Sequence, residues 1–245
     1  MTTADDLKAD KTLLPLFREK LEALTKGNTT FNLAEVEALA SSDEAIGRYL
    51  IARNNNLGKS FAMAKATLKW RSKFKPGEIV MKDFPTAQAQ GVYRLAGRTK
   101  DGCGILHVTA ANWSSFAYSV DEYVRFVSFH IELCLAQNPG GKFFLIFDMK
   151  NMSYLTDMRK LRFLARVLTI YFPEQLSKAV FVNCDWVFDK LFSICIRWIN
   201  TRNQERCIDF RDNAANFLLQ HIDADQLTMD LGGTREEEWP LQPVE

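Results

Sequence analysis

The histidine, serine and glycine residues of this 245-residue chain show none of the spacings that catalysis or metal binding requires. The three histidines, His107, His130 and His221, are too few and too scattered to predict a metal centre. Gly140-Gly141-Lys142 lacks the upstream glycine and the following hydroxyl residue of a phosphate-binding loop, and no serine stands in a nucleophile elbow. The sequence therefore predicts a protein that is not an enzyme.

A turn after a predicted helix carries the most informative pattern of residues. Tyr171-Phe172-Pro173-Glu174-Gln175-Leu176 ends a helix, turns at the proline and leads into the buried strand Val180-Phe181-Val182-Asn183. Glu174 in this turn can accept hydrogen bonds, and Arg53 and Arg206 are positively charged side chains elsewhere in the chain. Taken one at a time, each of these charged residues is better explained as an exposed surface side chain.

The first third of the chain has the apolar periodicity of helices. Apolar residues repeat at helical spacing from Leu14 to Leu21, and Ser41 with Glu44 has the pattern of a capping box before a further helix. A longer helix is predicted to end near Lys75-Pro76-Gly77, where proline and glycine prevent its continuation. We therefore predict an N-terminal helical module over residues 1–85.

From about Gly91 the pattern changes to short apolar strands separated by helices. Phe143 to Phe147 and Ala179 to Val182 are continuous apolar runs of strand length, with a helix from Met158 to Tyr171 between them. Strands that are apolar on both faces and joined by a helix are typical of a parallel pair covered on each side. The predicted fold class is α/β, a helical module followed by a mixed, mainly parallel sheet flanked by helices over residues 86–245.

The segment from Trp186 to Ile199 allows two interpretations. It is apolar nearly all round, and only Asp189, Lys190, Ser193 and Arg197 interrupt it. Periodicity alone favours a buried helix packed on the sheet. The alternative is a mobile lid whose inner face seals a pocket and whose outer face meets a membrane.

Several motifs spread along the chain resemble those of the CRAL-TRIO lipid-transfer family. The turn at Tyr171 and the strand after it resemble the family's Tyr-Pro-Glu-Arg and Ile-Asn-Ala-Pro signature. Arg48-Tyr49-Leu50-Ile51-Ala52-Arg53 and Leu68-Lys69-Trp70-Arg71 resemble the Arg-Phe-Leu-Arg-Ala-Arg and Lys-Trp-Arg patterns of its N-terminal module. Leu231-Gly232-Gly233-Thr234 resembles its closing Gly-Gly-Thr. The resemblance covers almost the whole chain and implies a carrier that holds one hydrophobic molecule in a closed internal pocket.

The resemblance also implies roles for particular residues. In family members that handle phosphatidylinositol, the positions of Glu174, Arg206 and Arg53 contribute to the headgroup site, and Arg206 here replaces a lysine. Asn203 stands where a threonine is usual and can still form hydrogen bonds. A helix at the place of Trp186 to Ile199 is the family's gate, which favours the lid interpretation. The residues implied to line the pocket or the gate are Leu106, Phe143, Leu145, Trp186, Leu191, Phe192, Cys195 and Ile199.

Departures from the family pattern bear on the cargo. Family members that hold phosphatidylcholine use small hydroxyl residues on the strand that here reads Phe143-Phe144-Leu145, and a tyrosine near the position of Leu106. Because these positions are apolar in this chain, the resemblance favours phosphatidylinositol, or another single hydrophobic lipid, as the ligand. We expect no cofactor besides this bound lipid.

The charge balance and the start of the chain bear on partners and location. The 31 basic and 30 acidic residues nearly cancel, so we expect no nucleic acid among the partners. The five cysteines are odd in number and lie mostly in apolar segments, which is typical of reduced core residues in an intracellular protein. Residues 1–6 lack the pattern of a signal peptide, and no stretch approaches the roughly 18 apolar residues that span a bilayer. We therefore expect a cytoplasmic protein.

One local run of charge could bring the protein to a membrane. Ala45 to Gly77 contains eight basic residues and no acidic one. Each basic residue near an anionic membrane can contribute about 1 kcal/mol, so this run predicts a transient, salt-sensitive peripheral contact. A solvated helix face is the simpler explanation of such a run. A non-enzymatic adaptor with a filled core, which binds protein or is recruited to membranes, stays open as the alternative function.

Overall fold

Two compact units make up the chain. The computed structural model describes residues 7–26, 30–80, 83–84, 91–114, 116–138, 141–155, 157–210 and 212–236. The first unit, defined by the contacts between Cα atoms, contains the described residues of Met1–Lys75 together with Val167–Gln175. The second unit contains the described residues of Pro76–Arg166 and of Leu176–Glu245. The predicted boundary between residues 85 and 86 lies outside the described residues and stays a prediction.

The first unit is helical. Its helices among the described residues are α1 (Leu14–Thr25), α2 (Leu33–Ser41), α3 (Asp43–Ala52) and α4 (Leu57–Phe74), preceded by a 3₁₀ turn at Lys11–Leu13. The hydroxyl of Ser42, not of Ser41, caps α3 and accepts a hydrogen bond from the backbone N–H of Ala45 at 3.1 Å. The cap lies one residue later than predicted because Ser41 still has helical geometry as the last residue of α2. The fully buried core residues of this unit include Phe17, Leu21, Ile46, Leu50 and Ala64.

The second unit contains one mixed sheet, as predicted. Among the described residues its strands are β1 (Tyr93–Arg98), β2 (Gly104–Thr109), β3 (Phe143–Asp148), β4 (Leu176–Val182) and β5 (Cys207–Asp209). They are ordered β1-β2-β3-β4-β5, and β1 is antiparallel to β2 while the other neighbouring pairs are parallel. The predicted α/β class with a mainly parallel sheet after a helical module is therefore confirmed.

The parallel strands are connected through helices, whereas β1 and β2 are joined by a turn. The helices of the second unit are α5 (Val120–Ala136), α6 (Met158–Arg166), α7 (Trp186–Cys195), α8 (Thr201–Gln204) and α9 (Ala214–His221). Helix α6 continues into a π-helical turn at Val167–Tyr171, so the helix predicted from Met158 to Tyr171 is present with an altered last turn. Short 3₁₀ turns lie at Pro76–Glu78, Ala110–Asn112, Ile196–Trp198, Ala224–Gln226 and Met229–Leu231. None of the helices described here is long and apolar enough to cross a membrane.

The two faces of the sheet are covered differently. Phe144, Ile146 and Val180 point to one face and form a buried cluster with Leu218 of α9 and with Ile222 after it. Because side chains alternate along a strand, the residues between them point to the other face. That second face packs against α5 and α7.

Candidate functional site

The turn that carries the predicted Glu174 is fixed by aromatic packing within the first unit. After the π-helical turn Val167–Tyr171, the ring of Tyr171 stacks on Trp70 with centroids 4.4 Å apart and an interplanar angle of 14°. Phe172 meets the same indole ring edge-on at 5.9 Å. Aromatic pairs of this kind contribute about 0.5–1.5 kcal/mol beyond the area they bury. Packing on Trp70 therefore fixes the two residues that precede the proline of the turn.

Glu174 has a strained backbone, and its carboxylate interacts electrostatically with the guanidinium of Arg53. Its φ of 56° lies in the left-handed region, which costs a residue with a Cβ atom roughly 1–2 kcal/mol. Both side chains are half-buried, and the guanidinium of Arg53 donates a hydrogen bond to the carbonyl of Ala52 at 2.8 Å. Burial lowers the pKa of Arg53, and the negative charge of Glu174 opposes that shift. Strained non-glycine residues cluster at functional sites. The left-handed backbone of Glu174 therefore adds a structural reason to the sequence-based prediction that Glu174 belongs to a functional site.

Arg206 and Asn203 lie together in the second unit. Nη1 of Arg206 donates a hydrogen bond to Oδ1 of Asn203 at 3.2 Å, and the two residues are only 7% and 4% exposed. Asn203 is positioned by α8, whose N-cap Asn200 accepts a hydrogen bond from its backbone N–H at 2.9 Å. A guanidinium that is this deeply buried must be compensated by polar or anionic groups. Its planar fork is suited to phosphate oxygens.

The structure thus brings the four predicted headgroup residues into two pairs. Arg53 and Glu174 form one pair in the first unit, and Asn203 and Arg206 form the other in the second unit. That both pairs serve a single headgroup site stays a prediction.

The residues predicted to line the pocket share the sheet face that α9 does not cover. Leu106 and Leu145 are register partners on β2 and β3, and Phe143 lies two residues before Leu145 on the same face. All three are at most 2% exposed. Phe147 and Phe181 extend this face with rings stacked at 4.8 Å and an interplanar angle of 7°. The result is an apolar wall across three neighbouring strands.

The predicted gate forms helix α7, with an inner and an outer side. Phe188 and Phe192 contact Phe181 of the wall, with ring centroids 5.4 and 5.2 Å apart. On the outer side Trp186 is 63% exposed and Ile194 is 50% exposed. The other predicted gate residues are also placed: Leu191 and Cys195 are half-buried on α7, and Ile199 after the helix is buried. Packing of the inner side on the sheet fits the first interpretation, although Phe188 is the one residue of α7 that is buried, and movement of α7 stays a prediction.

The N-terminal end of α7 is fastened by one carboxylate. Oδ1 of Asp185 accepts hydrogen bonds from the backbone N–H groups of Val187 and Phe188, each at 2.9 Å. The same oxygen accepts a hydrogen bond from the hydroxyl of Tyr154 at 2.5 Å. Asp185 therefore caps the helix and also ties it to the loop before α6.

The basic run Ala45–Gly77 is partly neutralised. Arg48 pairs with Glu44 at 2.6 Å, and Arg71 pairs with Glu35 at 2.7 Å. Lys65, Lys69 and Lys73 of α4 are exposed and follow one another at intervals of four residues. Residues four apart lie on one side of a helix. We refer to these three side chains as the lysine stripe.

Sequence reasoning missed the buried Lys160 on α6. This lysine is 2% exposed, and its ammonium donates a hydrogen bond to the carbonyl of Tyr118 at 2.5 Å. The ammonium also lies 5.4 Å from the ring centroid of Trp113 and 5.9 Å from that of Tyr123. Its position three residues before the buried Phe163 was the available signal, since both lie on the inner side of the helix. The contacts indicate a structural role, namely holding the loop between β2 and α5.

Comparison with known proteins identifies the family. The model of the CRAL/TRIO domain matches residues 88–233, so this chain belongs to the CRAL/TRIO domain family. The predicted family is thereby confirmed.

Individual relatives are distant. The phosphatidylinositol transfer protein CSR1 of Eremothecium gossypii is 24% identical over 217 residues, which cover 79% of this chain and 48% of that protein. Patellin-4 of Arabidopsis thaliana is 23% identical over 205 residues, covering 79% of this chain and 38% of that protein. The chain thus spans less than half the length of these two curated relatives. The crystal structure of Sfh5 has the same fold, with a TM-score of 0.69 and 16% identity over 98% of this chain and 94% of that one.

Proposed function

We propose that this protein binds a single lipid molecule, with phosphatidylinositol as the leading cargo, and transfers it between membranes without catalysing a reaction. The observation that carries the proposal is the apolar wall of Leu106, Phe143 and Leu145 in a member of the CRAL/TRIO family. Helix α7 packs on the same face through Phe188 and Phe192. The name of the relative CSR1 supports the choice of lipid.

The energetics of lipid extraction explain why an enclosed apolar wall is needed. Each methylene group that moves from hydrocarbon into water costs about 0.8 kcal/mol. Two acyl chains with roughly 30 methylene groups would therefore cost on the order of 25 kcal/mol if they were exposed. A wall of leucine and phenylalanine side chains beneath an apolar helix removes most of this cost.

The headgroup phosphate is proposed to bind Arg206, with Asn203 as a neighbouring polar group. Arg206 offers a charged planar fork, and it is already ordered by the 3.2 Å bond to Asn203. Hydrogen bonds to charged groups contribute about 1.5–3 kcal/mol each, which corresponds to roughly 10- to 150-fold in affinity. Glu174 and Arg53 are proposed to contribute to recognition of the inositol headgroup, as the family resemblance implies.

Membrane contact is proposed to use two surfaces. The exposed Trp186 and Ile194 on the outer side of α7 would enter the interfacial region when this gate helix opens. The lysine stripe of α4 would bind anionic headgroups, at about 1 kcal/mol for each lysine near the surface. The protein would then work in the cytoplasm in transient contact with anionic membranes.

The first experiment tests cargo and headgroup residues together. Purified protein is mixed with liposomes of several phospholipids, and the lipid bound after re-isolation is identified by mass spectrometry. We expect one phosphatidylinositol per protein, and we expect that Arg206→Ala combined with Glu174→Ala abolishes phosphatidylinositol transfer while the circular dichroism spectrum is unchanged. The control is Arg125→Ala, which removes an arginine that lies outside the proposed site and pairs with Asp83. Protein with this substitution should transfer phosphatidylinositol normally.

Glu174→Gly separates function from stability. Glycine adopts the left-handed backbone without strain, so this substitution should leave the free energy of unfolding unchanged or raise it by up to about 1 kcal/mol. Transfer of phosphatidylinositol should nevertheless fall, because the carboxylate is lost. Unchanged transfer in this variant and in the double variant would refute the headgroup site. If no lipid is bound at all, the adaptor with a filled core becomes the leading function.

The lysine stripe is tested by charge reversal. Lys65→Glu, Lys69→Glu and Lys73→Glu together should reduce binding to phosphatidylserine-containing liposomes, with the loss largest at low salt. Neutral liposomes serve as the control. Equal binding of the variant and the unaltered protein to anionic liposomes would exclude this docking surface.

A further inference from the structure

The first unit contains a cavity of about 190 Å³ that the proposed lipid transfer does not use. Liquid water occupies roughly 30 Å³ per molecule, so the cavity takes a small molecule or the end of a chain and not a whole lipid. Glu174 and Arg53 are described by the structure but do not line this cavity. It is therefore separate from the pair of residues proposed to recognise the inositol headgroup.

The charged side chains that line the cavity are unbalanced. Among the described residues, the lining contains two arginines and one carboxylate. Arg71 and Glu35 pair with each other through Nε and Oε2 at 2.7 Å, so these two charges cancel. Arg48 is the second cation, and its partner Glu44 does not line the cavity. The lining therefore has an excess of one positive charge.

Arg48 is available to a ligand. Its side chain is 25% exposed, and its Nη2 donates a hydrogen bond to Oε1 of Glu44 at 2.6 Å. Within the part of the chain that the structure describes, Glu44 is the only acceptor for this guanidinium, so most of its N–H groups remain for another acceptor. Glu44 itself is 76% exposed, and an exposed pair one helical turn apart is weak. A bound anion therefore competes with Glu44 at small cost.

The buried Tyr49 shows that the two guanidinium groups lie close together. Burial raises the pKa of Tyr49 to about 12, and a hydrogen bond with Thr67 and the charges of Arg71 and Arg48 oppose that shift. Both arginines thus act on one hydroxyl group, which belongs to a residue of the cavity lining. One small anion can be attracted by both charges.

We propose that this cavity binds a single carboxylate group with a short apolar body, held by Arg48 with Arg71 beside it. A carboxylate has one negative charge and matches the excess of one positive charge, whereas a phosphate monoester has nearly two at pH 7. The planar fork of an arginine binds both oxygens of a carboxylate. Leu39 and Leu68 also line the cavity and offer the body an apolar surface. The carboxylate belongs to a small free acid or to the C-terminus of a peptide.

Pairs of acids and amides test the proposal. We compare 3-methylbutanoate with 3-methylbutanamide, and an acetylated peptide that ends in leucine with its C-terminal amide, by NMR titration of the purified protein. Each amide keeps the apolar body and removes the charge, so we expect at least one acid to bind about tenfold more tightly than its amide. A preference for the free acid alone would identify a small molecule as the ligand, and a preference for the peptide acid alone would identify a protein terminus.

Three variants locate the binding. Arg48→Gln should lose the preference for the acid, because the neutral amide cannot form the charged fork. Glu44→Gln removes the competing carboxylate without altering the cavity lining, and it should raise the affinity for the acid about twofold. The control is Arg125→Gln, which alters an arginine of the second unit that pairs with Asp83, and it should keep the affinity of the unaltered protein.

Four results would overturn the proposal. They are equal affinity for acid and amide in the unaltered protein, a preference that persists in Arg48→Gln, an unchanged affinity in Glu44→Gln, and tighter binding of 2-methylpropyl phosphate than of either acid. Circular dichroism shows whether Arg48→Gln is folded, and Glu44→Gln decides if it is not. The inference does not depend on lipid transfer, so loss of phosphatidylinositol transfer would count against the carrier function alone.

Discussion

Replacing Asp185 with alanine should loosen the start of helix α7, the proposed gate. The carboxylate accepts two backbone hydrogen bonds at 2.9 Å, and loss of such an N-cap costs about 1 kcal/mol. The bond from the hydroxyl of Tyr154, at 2.5 Å, adds about 1 kcal/mol at this exposed site. The sum of about 2 kcal/mol corresponds to a roughly 30-fold shift of the opening equilibrium.

Hydrogen exchange followed by mass spectrometry measures this opening directly. The amides in the first turn of α7 should exchange roughly 30-fold faster in Asp185→Ala, and amides of α5 should serve as an internal reference. Tyr154→Phe removes only the hydroxyl and keeps the N-cap, so it should give an intermediate acceleration of roughly fivefold.

Lipid transfer then distinguishes a gate from a fixed helix. If α7 closes the cargo site, Asp185→Ala should release bound lipid to acceptor liposomes faster than the unaltered protein does. Faster exchange with an unchanged rate of lipid release would refute the gate, because the helix would then loosen without any effect on the cargo. Unchanged exchange would refute the contribution assigned to the cap.

Further predictions concern the stability of the two units. His107 and His130 both have a pKa lowered to about 4 by burial, so they take up protons more readily when unfolded. The stabilisation that arises from this pKa difference is complete above about pH 6.5 and is lost as the pH falls towards 4. Lowering the pH from 7 to 5 should therefore reduce the free energy of unfolding by about 2 kcal/mol for each histidine. Urea titrations should show this, and a pH-independent stability would contradict it. Gly104→Ala should cost about 1–3 kcal/mol, since the added Cβ atom would clash with Nδ2 of Asn138, and an unchanged melting curve would count against that contact. Trp70→Ala should cost about 3–5 kcal/mol by removing a buried stacked ring, and a smaller loss in chemical denaturation would mean that the site collapses around the gap.

Local patterns were sufficient to predict the elements of the fold. The C-cap of α4 is Lys75, as the following proline and glycine predicted. The apolar runs predicted as strands at Phe143 and Ala179 lie in β3 and β4. These features depend on residues close in sequence, so periodicity and turn residues are enough to find them.

The features that sequence could not supply depend on distant contacts or on exact backbone geometry. Ser41 and Ser42 both offer a hydroxyl, and only the extended backbone of Ser42 decides which one caps α3. The role of Lys160 depends on a carbonyl and two rings from elsewhere in the chain. For the predicted headgroup residues the family resemblance supplied positions, and the structure added the left-handed backbone of Glu174 and the burial of Arg206.

The membership of Val167–Gln175 in the first unit has a consequence for synthesis on the ribosome. Trp70 leaves the exit tunnel about a hundred residues before Tyr171, the ring on which it stacks. At roughly 5–20 residues per second, the helical module must wait on the order of 5–20 s for this partner. The N-terminal helices therefore remain incomplete while most of the sheet is still being made.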